Sequence, residues 1–134
     1  MLKEYIKIKA SEDEHGADFW ISASNGSATC ELQFYHEKDC FLKFAEALLN
    51  FPGSVTDKII FEASNPLFEL KILVYCYDFL GHSALQIIMD NKEKAPETQK
   101  AEFYIKTIPG SLNRLGDLLK NWDFLNEGIT WIPE

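Results

Sequence analysis

Leu32-Gln33-Phe34-Tyr35 runs into Phe41-Leu42-Lys43-Phe44-Ala45-Glu46-Ala47-Leu48-Leu49-Asn50-Phe51, and Phe103-Tyr104-Ile105-Lys106 runs into Leu112-Asn113-Arg114-Leu115-Gly116-Asp117-Leu118-Leu119-Lys120-Asn121-Trp122. In each copy a strand leads into an amphipathic helix, because apolar residues recur first at period two and then at helical spacing. Displaced by 71 positions, Phe44, Glu46, Leu48, Asn50 and Phe51 fall on Leu115, Asp117, Leu119, Asn121 and Trp122, a chemical likeness without identity. The two steps differ in polarity. The first helix carries only Lys43, Glu46 and Asn50 as a polar stripe and is expected to lie deep, whereas the second exposes Asn113, Arg114, Asp117, Lys120 and Asn121.

Upstream of the first helix, Glu4 to Ala10 alternates as a strand with Ile6 and Ile8 on one face, and Asp18–Ser24 and Ser27–His36 follow. Asn25-Gly26 supplies the positive φ angles of a two-residue hairpin turn. Within this hairpin Phe19, Ile21 and Ala23 match Cys30, Leu32 and Phe34, and Trp20, Glu31 and Tyr35 look outward. Asp39 is placed to cap the first helix, and Pro52-Gly53 ends it.

Downstream, Lys58–Ala63, Phe68–Tyr77, His82–Asp90 and Ala101–Ile108 read as a meander. The second of these strands, apolar on both faces over its latter half, belongs near the sheet centre. Asn91 to Lys100 is a charged loop expected to be mobile. Pro109-Gly110-Ser111 starts the last helix, and Gly116 within it suggests close approach to the sheet. The tail, Gly128 to Glu134, is apolar enough to pack back as an edge segment. The expected fold is therefore α+β: a single domain over 1–134, with a mostly antiparallel curved sheet of about seven strands whose inner face holds two helices, in the order β-β-β-α-β-β-β-β-α.

A chain of 134 residues with 46% hydrophobic content buries roughly two thirds of its unfolded surface, enough for one core without staples. Three widely spaced cysteines, Cys30, Cys40 and Cys76, fit neither a disulfide framework nor a zinc ribbon, so reduced thiols are expected. No apolar run approaches the roughly 20 residues of a membrane span. The N-terminal residues alternate charge and apolarity, unlike a secretory signal, and the expected location is the cytoplasm. With 21 acids against 13 bases, a net charge of −8 repels nucleic acid and anionic membrane and attracts a basic partner.

Chemistry-bearing clusters are sparse. His36-Glu37-Lys38-Asp39-Cys40 crowds metal-ligand types at a strand-to-helix junction but offers no second ligand cluster. Glu12-Asp13-Glu14-His15 lies on a loop beside glycine, where solvation explains it. His82 and Ser83, neighbours on a strand, point to opposite faces and cannot act as base and nucleophile. The glycines build no nucleotide fingerprint. No catalytic, metal or cofactor-binding residues are assigned. Outward aromatics bordered by Lys7, Lys9, Glu31 and Lys106 instead suggest a patch of interface composition. Its candidate partner-binding residues are Trp20, Glu31, Tyr35, Tyr75, Tyr77 and Tyr104, with Asp117 on the second helix. A structural domain that forms a homodimer through its exposed sheet face is an alternative, as is a small-ligand binder or enzyme with His36, Cys40 or His82 at the mouth of a sheet-helix pocket.

Asp18-Phe19-Trp20-Ile21, the Gly26-Ser27 strand start, the Phe41 to Leu48 helix, Glu69-Leu70-Lys71-Ile72, the Gly81 turn and the Leu112 to Leu119 helix together resemble the WapI-type immunity proteins of bacterial toxin systems. The resemblance implies a cytoplasmic, stoichiometric inhibitor that occludes a toxin by surface complementarity, with no cofactor and no catalytic residues. A basic nuclease toxin would suit the acidic surface and would be steered to it electrostatically.

Overall fold

The computed structural model describes residues 3–124 and 128–134. In chain order the elements are β1 (Glu4–Glu12), β2 (Ala17–Asn25), β3 (Thr29–His36), α1 (Leu42–Leu49), β4 (Lys58–Asn65), β5 (Phe68–Cys76), β6 (Ser83–Asp90), β7 (Lys100–Thr107), α2 (Pro109–Lys120) and β8 (Ile129–Trp131). The α+β class and the antiparallel pairing are as expected, but the strands do not form one sheet. They form two sheets of four, ordered β3-β2-β1-β8 and β4-β5-β6-β7. Period-two alternation tells a strand which face to bury and says nothing about which strand lies beside it, so a single meander and two separate ones share one sequence signature.

Each sheet buries one face. Ile6, Ile8, Phe19, Ile21, Leu32 and Phe34 from the first meet Phe61, Leu70, Ile72, Val74, Leu85, Ile87 and Ile105 from the second in one core. β2 and β3 approach β6 and β7 on one side, while on the other the two helices pack together, α1 against β4 and α2 against β8. No concave sheet face holds both helices. β5 is interior, as its two apolar faces require.

The tail closes the first sheet. Trp131 opposes Ile6 across an antiparallel pair, is fully buried, and donates its indole N–H to the Ser111 carbonyl at 2.8 Å. β8 thus stands beside β1 as β4 stands beside β5, and the fold is two four-stranded meanders, each carrying a helix, with one strand of the first supplied from the far end of the chain. The 71-residue echo is a repeat in space. β3 and β7 coincide residue for residue under that displacement, and Asn50 and Asn121 cap their helices with the same bond, each side-chain amide donating four residues back, to Glu46 at 3.0 Å and to Asp117 at 3.1 Å.

At the crossing of the helices the equivalents Ala45 and Gly116 meet. A Cβ on Gly116 would lie 2.7 Å from the Ala45 carbonyl oxygen and 2.9 Å from the Leu48 Cβ, so the glycine serves the helix pair and not the sheet. Asn113 completes the contact by donating to the Leu48 carbonyl at 2.7 Å and the Phe51 carbonyl at 2.9 Å. The Leu48 carbonyl also accepts the Phe51 N–H at 3.3 Å, so Asn113 adds a second donor at the last turn of α1 and supplies one to the Phe51 carbonyl just beyond it.

Three local expectations are corrected. α1 begins at Leu42 behind Phe41 and has no side-chain cap, because successive turns occupy residues 38–41 and Asp39 offers its carbonyl to Leu42. It also buries only Phe44, Ala45 and Leu48, so it is no deeper than α2. The hairpin turn is centred one residue later, on Gly26 and Ser27: Asn25 N–H reaches the Ala28 carbonyl, and the Asn25 side chain accepts from Ser27 and Ala28. Apart from these, the 91–99 loop has bonds of its own: Asn91 bonds both Glu97 and Gln99, and Lys92 crosses to the Asn65 carbonyl.

Candidate protein-binding surfaces

The outward aromatics do not make one patch. Trp20, Glu31 and Tyr35 lie on the outer face and free edge of the first sheet, and Tyr75 and Tyr104 lie on the second, with Tyr77 just past the end of β5 and its ring under the Lys106 ammonium. Asp117 is exposed on α2 and accepts from the Asn121 side chain at 2.9 Å.

On the first sheet, register lines up Thr130, Lys7, Ser22 and Glu31 in one row and Lys9, Trp20 and Gln33 in the next. They floor a trough of about 720 Å³ between Gln99 and Gly128. The Lys7 ammonium sits 4.6 Å from the Tyr5 ring centre and that of Lys9 5.7 Å from Trp20.

Around the corner, β3 is the free edge of its sheet. Asn25 and Ala28 form the first bonded pair of the hairpin, so by alternation Thr29, Glu31, Gln33 and Tyr35 direct their backbone N–H and C=O away from β2. A groove of about 560 Å³ runs along this edge, walled opposite by Asn65, Leu67, Phe68, Asn91 and Glu93, and among the described residues its charged lining is Glu31 and Glu93. Leu67 is 78% exposed at its rim. The Tyr35 hydroxyl donates to Asp13 at 2.8 Å, and the Asp13 carboxylate also accepts from the backbone of His15 and Gly16. These bonds, that from His15 foremost, hold Asp13 below its ordinary 3.8. The same bond to Asp13 raises the Tyr35 phenol. A side chain on Gly16 would collide with the His36 carbonyl at 2.6 Å and crowd the Tyr35 ring, so glycine there lets the ring lie flat.

The second sheet presents a different face. Across its four strands run Lys58–Tyr75–Ala84–Lys106, then Ile60–Leu73–Gln86–Tyr104, then Glu62–Lys71–Ile88–Glu102. Glu62 pairs with Lys71 at 3.8 Å, and Glu102 accepts from Gln86 at 2.8 Å. Burial, with the neighbouring Tyr104 second, raises the Tyr75 phenol. Above the first row, the Asp78 carboxylate accepts from Leu80 N–H and His82 N–H and touches His82 Nδ1 at 2.5 Å. The His82 side chain leads the contacts that lower Asp78. The turn so built displays Phe79 at 91% and Leu80 at 84% exposure. Sequence reading passed over this pair; its signal was two large apolar residues inside a turn bounded by Asp78 and Gly81.

The clusters weighed for chemistry stay apart. His36 Nδ1 accepts the Glu37 N–H at 2.9 Å, and burial, with Asp39 second, pushes the Cys40 thiol up to about 12. Burial also raises Cys30. Among the described residues no three His, Cys, Asp or Glu side chains gather as metal ligands would, and no helix is long and apolar enough to cross a membrane.

Fold and surfaces together define an α+β domain of two antiparallel four-stranded sheets with an open edge. No family model, curated protein or solved structure matches the chain.

Proposed function

We propose that this chain is a non-catalytic protein-binding domain that neutralises a basic partner protein by stoichiometric docking, as an immunity protein neutralises its toxin. One observation carries the reading: the free edge of β3 borders a groove whose charged lining is wholly acidic. An extended segment of the partner adds to β3 through main-chain bonds from Glu31, Gln33 and Tyr35, its basic side chains meet Glu31 and Glu93, and an apolar side chain rests on Leu67 and Phe68. The resemblance to WapI-type immunity proteins and the net charge of −8 support the same reading, since such a field accelerates encounter with a basic protein. Such a protein would act in the cytoplasm, where its partner is met before release or after entry.

Affinity capture from the native cell with the wild-type chain, followed by partner identification, tests it. A basic protein retained at 1:1 and lost with Glu31→Lys plus Glu93→Lys supports the proposal. A partner retained equally by that double variant places binding elsewhere.

A further inference from the structure

The outer face of the second sheet matches itself. Its three rows and a fourth below them, Ser64–Glu69–Asp90–Lys100, carry Lys58, Lys71, Lys100 and Lys106 against Glu62, Glu69, Asp90 and Glu102, four of each sign, so the face is neutral in a chain of net charge −8. The excess acid lies on other surfaces. The face itself offers a basic protein no excess of acid, and two such faces brought together add no repulsion to that between the chains as wholes.

The signs are also ordered. Lys58 and Lys106 occupy the ends of the row above Ile60–Leu73–Gln86–Tyr104, the row that is apolar but for Gln86, and Glu62 and Glu102 occupy the ends of the row below. Consider a two-fold axis lying in the interface along the apolar row, perpendicular to the strands. It leaves Ile60, Leu73, Gln86 and Tyr104 each facing their own copies and exchanges the rows above and below. Lys58 then meets Glu62 of the second copy, and Lys106 meets Glu102, four ion pairs in all because each is made twice. The alternative axis, parallel to the strands, sets Lys58 against Lys106 and Glu62 against Glu102, so charge selects one axis of the two.

From this register we infer that the second sheet is a homodimer interface, with two copies packed face to face about that axis. Ile60 at 62% exposure, Tyr104 at 48% and Tyr77 at 47% supply the apolar contact, and aligned sheet packing is the ordinary geometry for such faces. By strand spacings the three rows project about 400 Å², against about 800 Å² per partner in a standard interface. The dimer is therefore concentration-dependent, dissociating on dilution. It leaves the β3 edge, on the other sheet, open to the partner proposed above.

The test is sedimentation over a concentration series, with two charge-reversed chains. Lys58→Glu plus Lys106→Glu makes the four end positions all acidic, and Glu62→Lys plus Glu102→Lys makes them all basic; all four native side chains are exposed, Glu62 gives up its surface pair with Lys71 and Glu102 its bond to Gln86, so circular dichroism should show both variants folded. Wild type should dimerise as concentration rises, each variant should remain monomeric, and an equimolar mixture of the two variants should form a heterodimer. The chain carrying all four changes should regain self-association. A wild type that stays monomeric throughout overturns the inference, and so does a dimer indifferent to both double variants, which would place the contact on another face. Retention of the basic partner by both variants leaves the β3 reading intact and separates the two proposals.

Discussion

β3 and β7 hold the same place in the two repeats, residue for residue, and end in opposite roles. Glu31 and Glu102 are equivalents; Glu102 is engaged by Gln86 inside a neutral grid, whereas Glu31 opens onto a groove with no basic residue in its lining. Both strands are sheet edges. The difference teaches that duplication of a fold does not duplicate its surfaces. Inward positions keep their chemistry because they share one core, while outward ones are free to become an acidic edge in one copy and a self-complementary face in the other. What breaks the symmetry most is the tail, since the first meander takes its fourth strand from beyond α2 and the second has its own.

Removing that borrowed strand should therefore cost most. Trp131→Ala empties a fully buried site and leaves the Ser111 carbonyl without its indole donor, with an expected loss of about 3–5 kcal/mol in urea unfolding. Ile60→Ala, at an exposed position of β4, the corresponding strand of the other meander, should cost under about 0.5 kcal/mol. Equal costs would mean that β8 does not anchor the first sheet.

The helix crossing comes next. Gly116→Val drives a branched side chain into the Ala45 carbonyl, where even a Cβ would sit at 2.7 Å, and overpacking of this kind costs about 1–3 kcal/mol. Ala45→Gly, at the equivalent site, should cost about 1 kcal/mol through helix propensity, with about 0.8 kcal/mol more for its buried methyl. A Gly116→Val cost no greater than that of Ala45→Gly would mean that the helices do not cross where the glycine places them. Slightly below these stands Asn113→Ala, which strips a donor from the Leu48 and Phe51 carbonyls at about 1–2 kcal/mol. Asn121→Ala, whose bonds stay within the exposed end of its own helix, should fall within about 0.5 kcal/mol.

Much of this was legible from local pattern. The strand-helix echo, the alternation of β5 on both faces and the helix start at Pro109 all record what a residue does within its own element, and all are found in the structure. The division into two sheets was not legible. It depends on β3 and β4 standing at the edges of different sheets, and the first sheet's fourth strand depends on β8 choosing β1, a pairing between positions 6 and 131; neither leaves a trace in periodicity. Asp39 failed as a cap for a related reason: the sequence offers an acceptor, but the turns over 38–41 move the helix start beyond its reach. Of the site, outward Glu31 and Tyr35 were readable from alternation. Their meeting with Leu67 and Glu93 across the groove was not, because it joins segments brought together only by the packing of sheet on sheet.

The smallest expected effect tests the likeness between the hairpins. Asp13 and Asp78 close the β1–β2 and β5–β6 turns, equivalent places in the two meanders, and each carboxylate accepts two backbone N–H groups and one side chain, Tyr35 or His82. Both carboxyls lie below the ordinary 3.8 when folded. A lowered folded value means that the unfolded chain takes up protons first, so the stability these turns contribute is complete above 3.8 and is lost as pH falls through the folded values. Melting temperatures followed downward through that range should fall, and Asp13→Asn and Asp78→Asn should each make the fall shallower. Both groups are solvated, so each change should be a small one. The two variants part company in binding: Asp13→Asn loosens the Tyr35 ring beside the acidic groove and should weaken capture of the basic partner, whereas Asp78→Asn loosens the Phe79–Leu80 turn and should leave that capture unchanged. A reversal of that pattern would move the partner's site from the edge of the first sheet to the turn of the second.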